Sequence, residues 1–148
     1  KINFLATEDV YNQNFLFKFL CNLGNCIPVK RSTSDRVALL KVIKLLKRKN
    51  LVGIFPEGQR SRNGKIGDGK LGVSIMAIKS GVPIIPLAIK GTFEAFPRKT
   101  KFIKPNKIIL KFGDPITYEV EEKPTKERIN EVKNHIMDEI KKSFNSIP

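Results

Sequence analysis

The chain has 148 residues, the length of one domain, and 41% of them are hydrophobic, enough to build a core and too many for a disordered segment. Lysine and arginine number 28 against 14 aspartate and glutamate, and the resulting +14 predicts attraction to polyanions: nucleic acid, an anionic membrane or a phosphorylated substrate. No apolar run reaches the roughly 18 residues of a membrane-spanning helix, no signal-peptide pattern is present, and the two cysteines, Cys21 and Cys26, make neither a disulfide framework nor a metal-ligand cluster.

Residues 2–6 form a short apolar run that predicts a strand. Asp9 is placed to cap a helix over residues 10–22, with Phe15, Phe19 and Leu20 among its apolar positions. Residues 15–20 are apolar on nearly all sides, which suits core packing in part and a surface lying on a bilayer in part. Residues 26–29 predict a second strand. Thr33 or Ser34 then caps a helix through about Lys49, with Val37, Leu40, Ile43 and Leu46 at helical spacing and Leu39 and Leu45 alongside. Residues 51–55 read as a buried strand that ends at Pro56.

Residues 62–69 are a polar, glycine-rich loop containing Asn63-Gly64. Residues 70–80 predict a helix of small and apolar residues stopped by Gly81. An apolar strand follows over residues 82–89, with Pro83 at its start, where a missing N–H costs least. A last strand spans residues 107–112 and ends at Gly113-Asp114-Pro115. Thr125 caps a final amphipathic helix with Ile129, Val132, Ile136, Ile140 and Phe144 on one face. The alternation predicts a single α/β domain, its sheet mostly parallel or mixed and flanked by helices. In such sheets ligands gather beyond the carboxyl ends of the strands.

Chemistry concentrates at one such end. Phe55-Pro56-Glu57-Gly58-Gln59-Arg60-Ser61 sets a carboxylate, a glycine and a guanidinium within four positions. Gly58 allows a tight turn and close approach of a ligand. Arg60 offers a planar fork of donors for phosphate or carboxylate. Glu57 can accept from hydroxyls or hold that arginine in an ion pair. The bland alternative is a strand-to-loop turn with a surface salt bridge. Arg31 follows another strand and is a second phosphate-ligand candidate, against the default of a surface arginine. Lys70 suits either a phosphate or a solvated helix start. The lysine-rich stretches 41–49, 98–107 and 141–142 read as solvated faces. Zinc spacing, a helix-turn-helix and an aromatic-rich basic strand are all lacking, so nucleic acid is not the expected partner.

The Phe-Pro-Glu-Gly-x-Arg-Ser stretch resembles the third sequence block of the glycerolipid acyltransferases, the 1-acyl-glycerol-3-phosphate (lysophosphatidate) acyltransferase group. Gly24-Asn25-Cys26-Ile27-Pro28-Val29-Lys30-Arg31-Ser32 is similar to the second block and Gly81-Val82-Pro83-Ile84-Ile85-Pro86-Leu87 to the fourth. Gly69-Lys70-Leu71-Gly72 resembles the lysine-x-glycine connector between them. The resemblance runs from about Ile2 to Ile116. It implies acyl transfer from acyl-CoA or acyl-carrier protein to the free hydroxyl of lysophosphatidate or a related glycerol phosphate. Glu57 and Gly58 would orient the acceptor, Arg31, Arg60, Ser61 and Lys70 would bind substrate, and Pro86 would lie in the block that positions the acyl chain. No cofactor is implied beyond the donor. The expected place is the cytoplasmic face of an anionic membrane, held peripherally or by a segment outside this chain.

The family's first block, a histidine followed five positions later by an aspartate, has no counterpart here. The one histidine, His135, lies in the last predicted helix with Ile140 five positions on. The opening Lys1-Ile2-Asn3-Phe4-Leu5-Ala6-Thr7-Glu8 resembles the segment after that block, so the expectation is a domain shortened at its N-terminus and inactive by itself. Gln59 stands where the family often has threonine. The rival readings are a non-catalytic phosphate- or lipid-binding domain and a basic nucleic-acid-binding protein.

Overall fold

The computed structural model describes residues 1–7, 19, 21, 24–29, 36–97, 100 and 102–148. Strand β1 (Ile2–Thr7) is the centre of a three-stranded parallel sheet. Strand β2 (Ile27–Val29) pairs on one side, Leu5 opposite Ile27 and Thr7 opposite Val29. Strand β3 (Leu51–Gly53) pairs on the other, Ile2 opposite Leu51 and Phe4 opposite Gly53. Gly53 lies under the Phe4 ring, where a Cβ would come within 2.5 Å of a ring carbon.

Helix α1 (Arg36–Lys47) buries Ala38, Val42 and Ile43. The row expected to face the core is only partly the buried one, because Val37 is 78% and Leu40 61% exposed. Steps of three residues lag the helical turn by about 60° each, so a row of four such positions sweeps half the circumference. The buried face instead combines 38, 42 and 46 with 39 and 43. The caps expected at Asp9 and at Thr33 or Ser34 lie outside the described residues. So does most of the helix expected over residues 10–22, of which Phe19 and Cys21 are helical.

Helix α2 (Leu71–Ser80) is the hub of the core. Val73, Ala77 and Ile78 pack with Val132 and Ile136, while Met76 joins Ile27, Val42 and Ile43. It stops as expected at Gly81, whose φ of 65° is left-handed and whose N–H donates to the Ala77 carbonyl at 2.9 Å.

Strand β4 (Leu87–Lys90) pairs antiparallel with β5 (Ile109–Phe112), Leu87 opposite Phe112. The long strand expected over residues 82–89 is therefore shortened. Its first half keeps one bridge, Ile84 to Ile116, because Pro83 and Pro86 have no N–H for a ladder. The strand expected at 51–55 is likewise three residues long and lies at an edge of its sheet, with Leu51 and Phe55 exposed. A short helix α3 (Thr92–Ala95) links β4 to the loop before β5.

Helix α4 (Lys126–Asn145) begins as its sequence dictates, the Thr125 hydroxyl accepting from Arg128 N–H at 3.2 Å. Its buried Val132 and Ile136, with Ile129 and Ile140 beside them, cover α2. No helix among the described residues is long and apolar enough to cross a membrane.

Candidate active site

Because β2 and β3 both run parallel to β1, their carboxyl ends point the same way. The Glu57 motif leaves β3 at that end. Gly58 adopts φ 64°, and its N–H closes a turn on the Phe55 carbonyl at 2.9 Å. An L side chain there would meet nothing closer than Lys70 Cγ at 3.5 Å, so the glycine answers a backbone demand rather than a steric one. The Lys70 N–H donates to the Pro56 carbonyl at 2.7 Å. The chain thus leaves and re-enters at one point, and residues 57–69 form a closed loop above it.

The carboxylate and the guanidinium do not pair, contrary to the ion pair weighed from the sequence. Glu57 Oε2 accepts from Gly67 N–H at 2.9 Å, across the loop. A Cβ on Gly67 would lie 2.8 Å from that oxygen, so the missing side chain is what admits the carboxylate. Arg60 turns the other way. Its Nη2 donates to the Phe96 carbonyl, and its guanidinium carbon lies 4.5 Å from the centre of the Phe96 ring. Among the described residues that carbonyl is its hydrogen-bond partner, which leaves most of the five guanidinium N–H groups for an anion.

Ser61 is an internal staple. Its hydroxyl donates to the Lys65 carbonyl at 2.8 Å and accepts from Asn63 N–H at 3.4 Å. Lys70 is exposed, and its backbone, not its ammonium, makes the contact described above. Arg31 lies outside the described residues.

Pro86 is fully buried, and its carbonyl accepts from Gly113 N–H at 2.8 Å. It also lines a cavity of about 430 Å³ that opens between β3 and the Val82–Pro86 segment. Val52, Ile54, Pro56, Met76, Ile136 and Ile140 are among the residues that line it. Pro56 therefore belongs both to the motif turn and to an apolar chamber. Sequence periodicity alone could not reveal this chamber, because its walls come from four separate elements. Gly67 and Phe96, the partners of Glu57 and Arg60, were missed too. Gly67 had a signal in the glycine-rich loop, whereas Phe96 had none.

His135 lies away from the motif's hydrogen bonds. It is exposed on α4, with Nδ1 2.9 Å from the Tyr118 hydroxyl and the rings edge to face at 5.9 Å. Burial pushes the Tyr118 phenol up, with the Arg128 charge opposing the shift. The two cysteines are free thiols, as expected. That of Cys26 is pushed up to about 11, first by burial, then by its hydrogen bond to Cys21 and by charge interaction with it.

The chain has relatives among known proteins. The family model described as Acyltransferase matches residues 1–90. The 1-acyl-sn-glycerol-3-phosphate acyltransferase of Limnanthes douglasii is 35% identical over 100 residues, 66% of this chain and 36% of that protein. The enzyme of the same name from Bacillus subtilis (strain 168) is 26% identical over 148 residues, 99% of this chain and 71% of that protein. The crystal structure of the 1-acyl-sn-glycerophosphate (LPA) acyltransferase PlsC from Thermotoga maritima superposes with a TM-score of 0.64 at 26% identity, covering 94% of this chain and 56% of that one. The chain spans only part of the curated relatives it matches, about a third of the Limnanthes protein and 21% of the one from Brassica napus. With the family model matching residues 1–90, more than half of the chain, and the fold shared with the Thermotoga enzyme, this chain belongs to the acyltransferase family.

Proposed function

We propose that this domain serves the transfer of an acyl group from a thioester, acyl-CoA or acyl-carrier protein, to the free hydroxyl of lysophosphatidate or a related glycerol phosphate. The observation that carries the reading is the junction at Pro56. On one side stands a closed loop bearing Glu57 and Arg60, and on the other an apolar cavity of about 430 Å³. A phosphorylated headgroup and a hydrocarbon chain need those two environments side by side. The volume lies in the ordinary range of about 300–1,000 Å³ for small-molecule sites.

In the reaction the acceptor oxygen attacks the thioester carbonyl, a C–O bond forms and the C–S bond breaks. The hydroxyl proton passes to a base and on to the departing thiolate. Glu57, fixed by Gly67, orients the glycerol hydroxyls. Arg60, fixed by Phe96, presents its remaining N–H groups to the phosphate, with Arg31, Lys70 and Ser61 as further candidates. The chamber that Pro86 lines takes the acyl chain. The base is an imidazole from outside these 148 residues, since His135 is engaged with Tyr118 on α4. The acceptor comes from an anionic membrane, towards which the net charge of +14 draws the protein.

The test is thioester release with acyl-CoA and lysophosphatidate. Residues 1–148 are expected to show little turnover, and a chain extended upstream into its natural coding sequence is expected to be active. Robust turnover by the 148 residues alone would remove the claim about the base. Salt-sensitive binding of oligonucleotides with no turnover by either chain would favour the nucleic-acid reading instead.

A further inference from the structure

We infer that residues 102–107, in the loop between α3 and β5, are the membrane-docking element of this domain, with Phe102 and Ile103 as its inserting tip and anionic phospholipid as its partner. Phe102 is 81% and Ile103 75% exposed, adjacent residues with their apolar area in solvent. Singly exposed apolar residues are ordinary, but two adjacent ones exposed to this degree are not. The loop is pinned at its base. Lys104 N–H donates to the Ala95 carbonyl at 2.8 Å, the Asn106 side-chain amide donates to the Gly91 carbonyl at 2.9 Å, and the Thr100 hydroxyl donates to the Pro97 carbonyl at 2.8 Å.

Charge selects the partner. Lys104 and Lys107 follow the tip as exposed side chains. An apolar tip followed by two exposed lysines fits an anionic bilayer, which accepts the apolar side chains into its interface and the ammonium groups at its headgroups. The apolar segment 15–20, considered for this role from the sequence, lies outside the described residues except for Phe19.

The position of the loop gives the contact its purpose, and this step rests on the acyl-transfer reading. Phe96, where the loop begins, is the residue that holds Arg60, and the Phe93 ring lies 3.2 Å from the Cβ position of Gly64 in the motif loop. A tip seated in the bilayer would bring the Glu57–Arg60 corner to the surface from which a lipid acceptor must come.

The chain has no tryptophan, so Phe102→Trp creates a single fluorescent reporter at the tip. With vesicles of phosphatidylcholine and phosphatidylglycerol, its emission should move to shorter wavelength and be quenched by brominated acyl chains. Phosphatidylcholine alone should do neither. Phe102→Ser with Ile103→Ser, verified as folded by circular dichroism, should weaken vesicle partitioning by on the order of tenfold or more. Lys104→Gln and Lys107→Gln should each weaken it by about fivefold at low salt. Binding that leaves the Phe102→Trp emission unchanged would overturn the assignment, as would a spectral shift at Phe19→Trp in its place. Failure to bind anionic vesicles, with or without oligonucleotide binding, would overturn it too. The assay needs no turnover, so its failure is separable from a failure of the proposed reaction.

Discussion

Arg60→Ala separates the clamp that the structure gives this guanidinium from the phosphate contact proposed for it. The residue joins the motif loop to the end of α3, thirty-six positions away, through the Phe96 carbonyl and ring. Both residues are exposed, so the hydrogen bond belongs in the lower half of its range, about 0.5–1 kcal/mol, and the ring contact adds about 0.5–1 kcal/mol. A loss of about 1–2 kcal/mol in a domain of this size lowers Tm by about 3–6 °C. Phe96→Leu removes the ring and keeps the carbonyl, so it should lose about half as much stability as Arg60→Ala. Arg60→Lys keeps a charge but not the planar fork, and should fall between the two.

The proposed phosphate contact shows only in turnover. In the active enzyme Arg60→Ala should lower kcat/KM for a phosphorylated acceptor by about 10- to 150-fold, the worth of a hydrogen bond to a charged group at about 1.5–3 kcal/mol. For an uncharged monoacylglycerol the loss should be severalfold, coming from the loosened loop alone. Differential scanning calorimetry and steady-state kinetics with the two acceptors decide the matter. Equal losses on both acceptors would remove phosphate from the account of Arg60. An unchanged Tm would remove the clamp.

Gly67→Ala should mimic Glu57→Gln in lowering turnover sharply with the fold retained, since the new methyl displaces the carboxylate that Gln can no longer supply; His135→Ala should leave turnover nearly unchanged. The opposite ranking in a kcat comparison would reverse the site assignment. Cys26 holds its proton to about 11, against an ordinary thiol value of 9.0, so alkylation by iodoacetamide should stay slow at pH 8 and rise only well above pH 10. The matching linkage is an acid whose folded pKa is raised. Its contribution to stability is complete below about pH 9 and is lost as pH climbs through 11, so denaturant midpoints should fall across that window. A Cys26→Ser variant should flatten that part of the curve.

What the sequence made legible was local. Gly81 as a helix stop, Thr125 as a cap and Gly58 as a left-handed turn each depend on a backbone geometry reached within four residues, and each stands as expected. The parallel pairing around β1 follows from the order of apolar runs. The failures involve distance along the chain. Glu57 and Arg60, three positions apart, looked like partners, yet each found a better one further off, at Gly67 and Phe96. A turn that points two neighbouring side chains in different directions cannot be read from their spacing. The helix row through Val37 and Leu40 failed for a related reason, because the side of a helix that is buried is set by what packs on it.

The same distinction bears on how the site works. Had Glu57 and Arg60 neutralised each other, the corner would offer an anion little net charge. Each is held instead by a backbone group, a peptide N–H for the carboxylate and a peptide carbonyl for the guanidinium. Their charges are therefore oriented without being cancelled. Under the proposed function, an acceptor with hydroxyls at one end and a phosphate at the other would be read by both residues at once. This arrangement needs the loop to be closed before the acceptor arrives, and the bond from Lys70 N–H to the Pro56 carbonyl closes it. The lysine at the start of α2 thus contributes to the site through its main chain whether or not its ammonium touches a ligand. A Lys70→Met change should accordingly spare the loop, whereas Lys70→Pro, which removes the N–H, should open it.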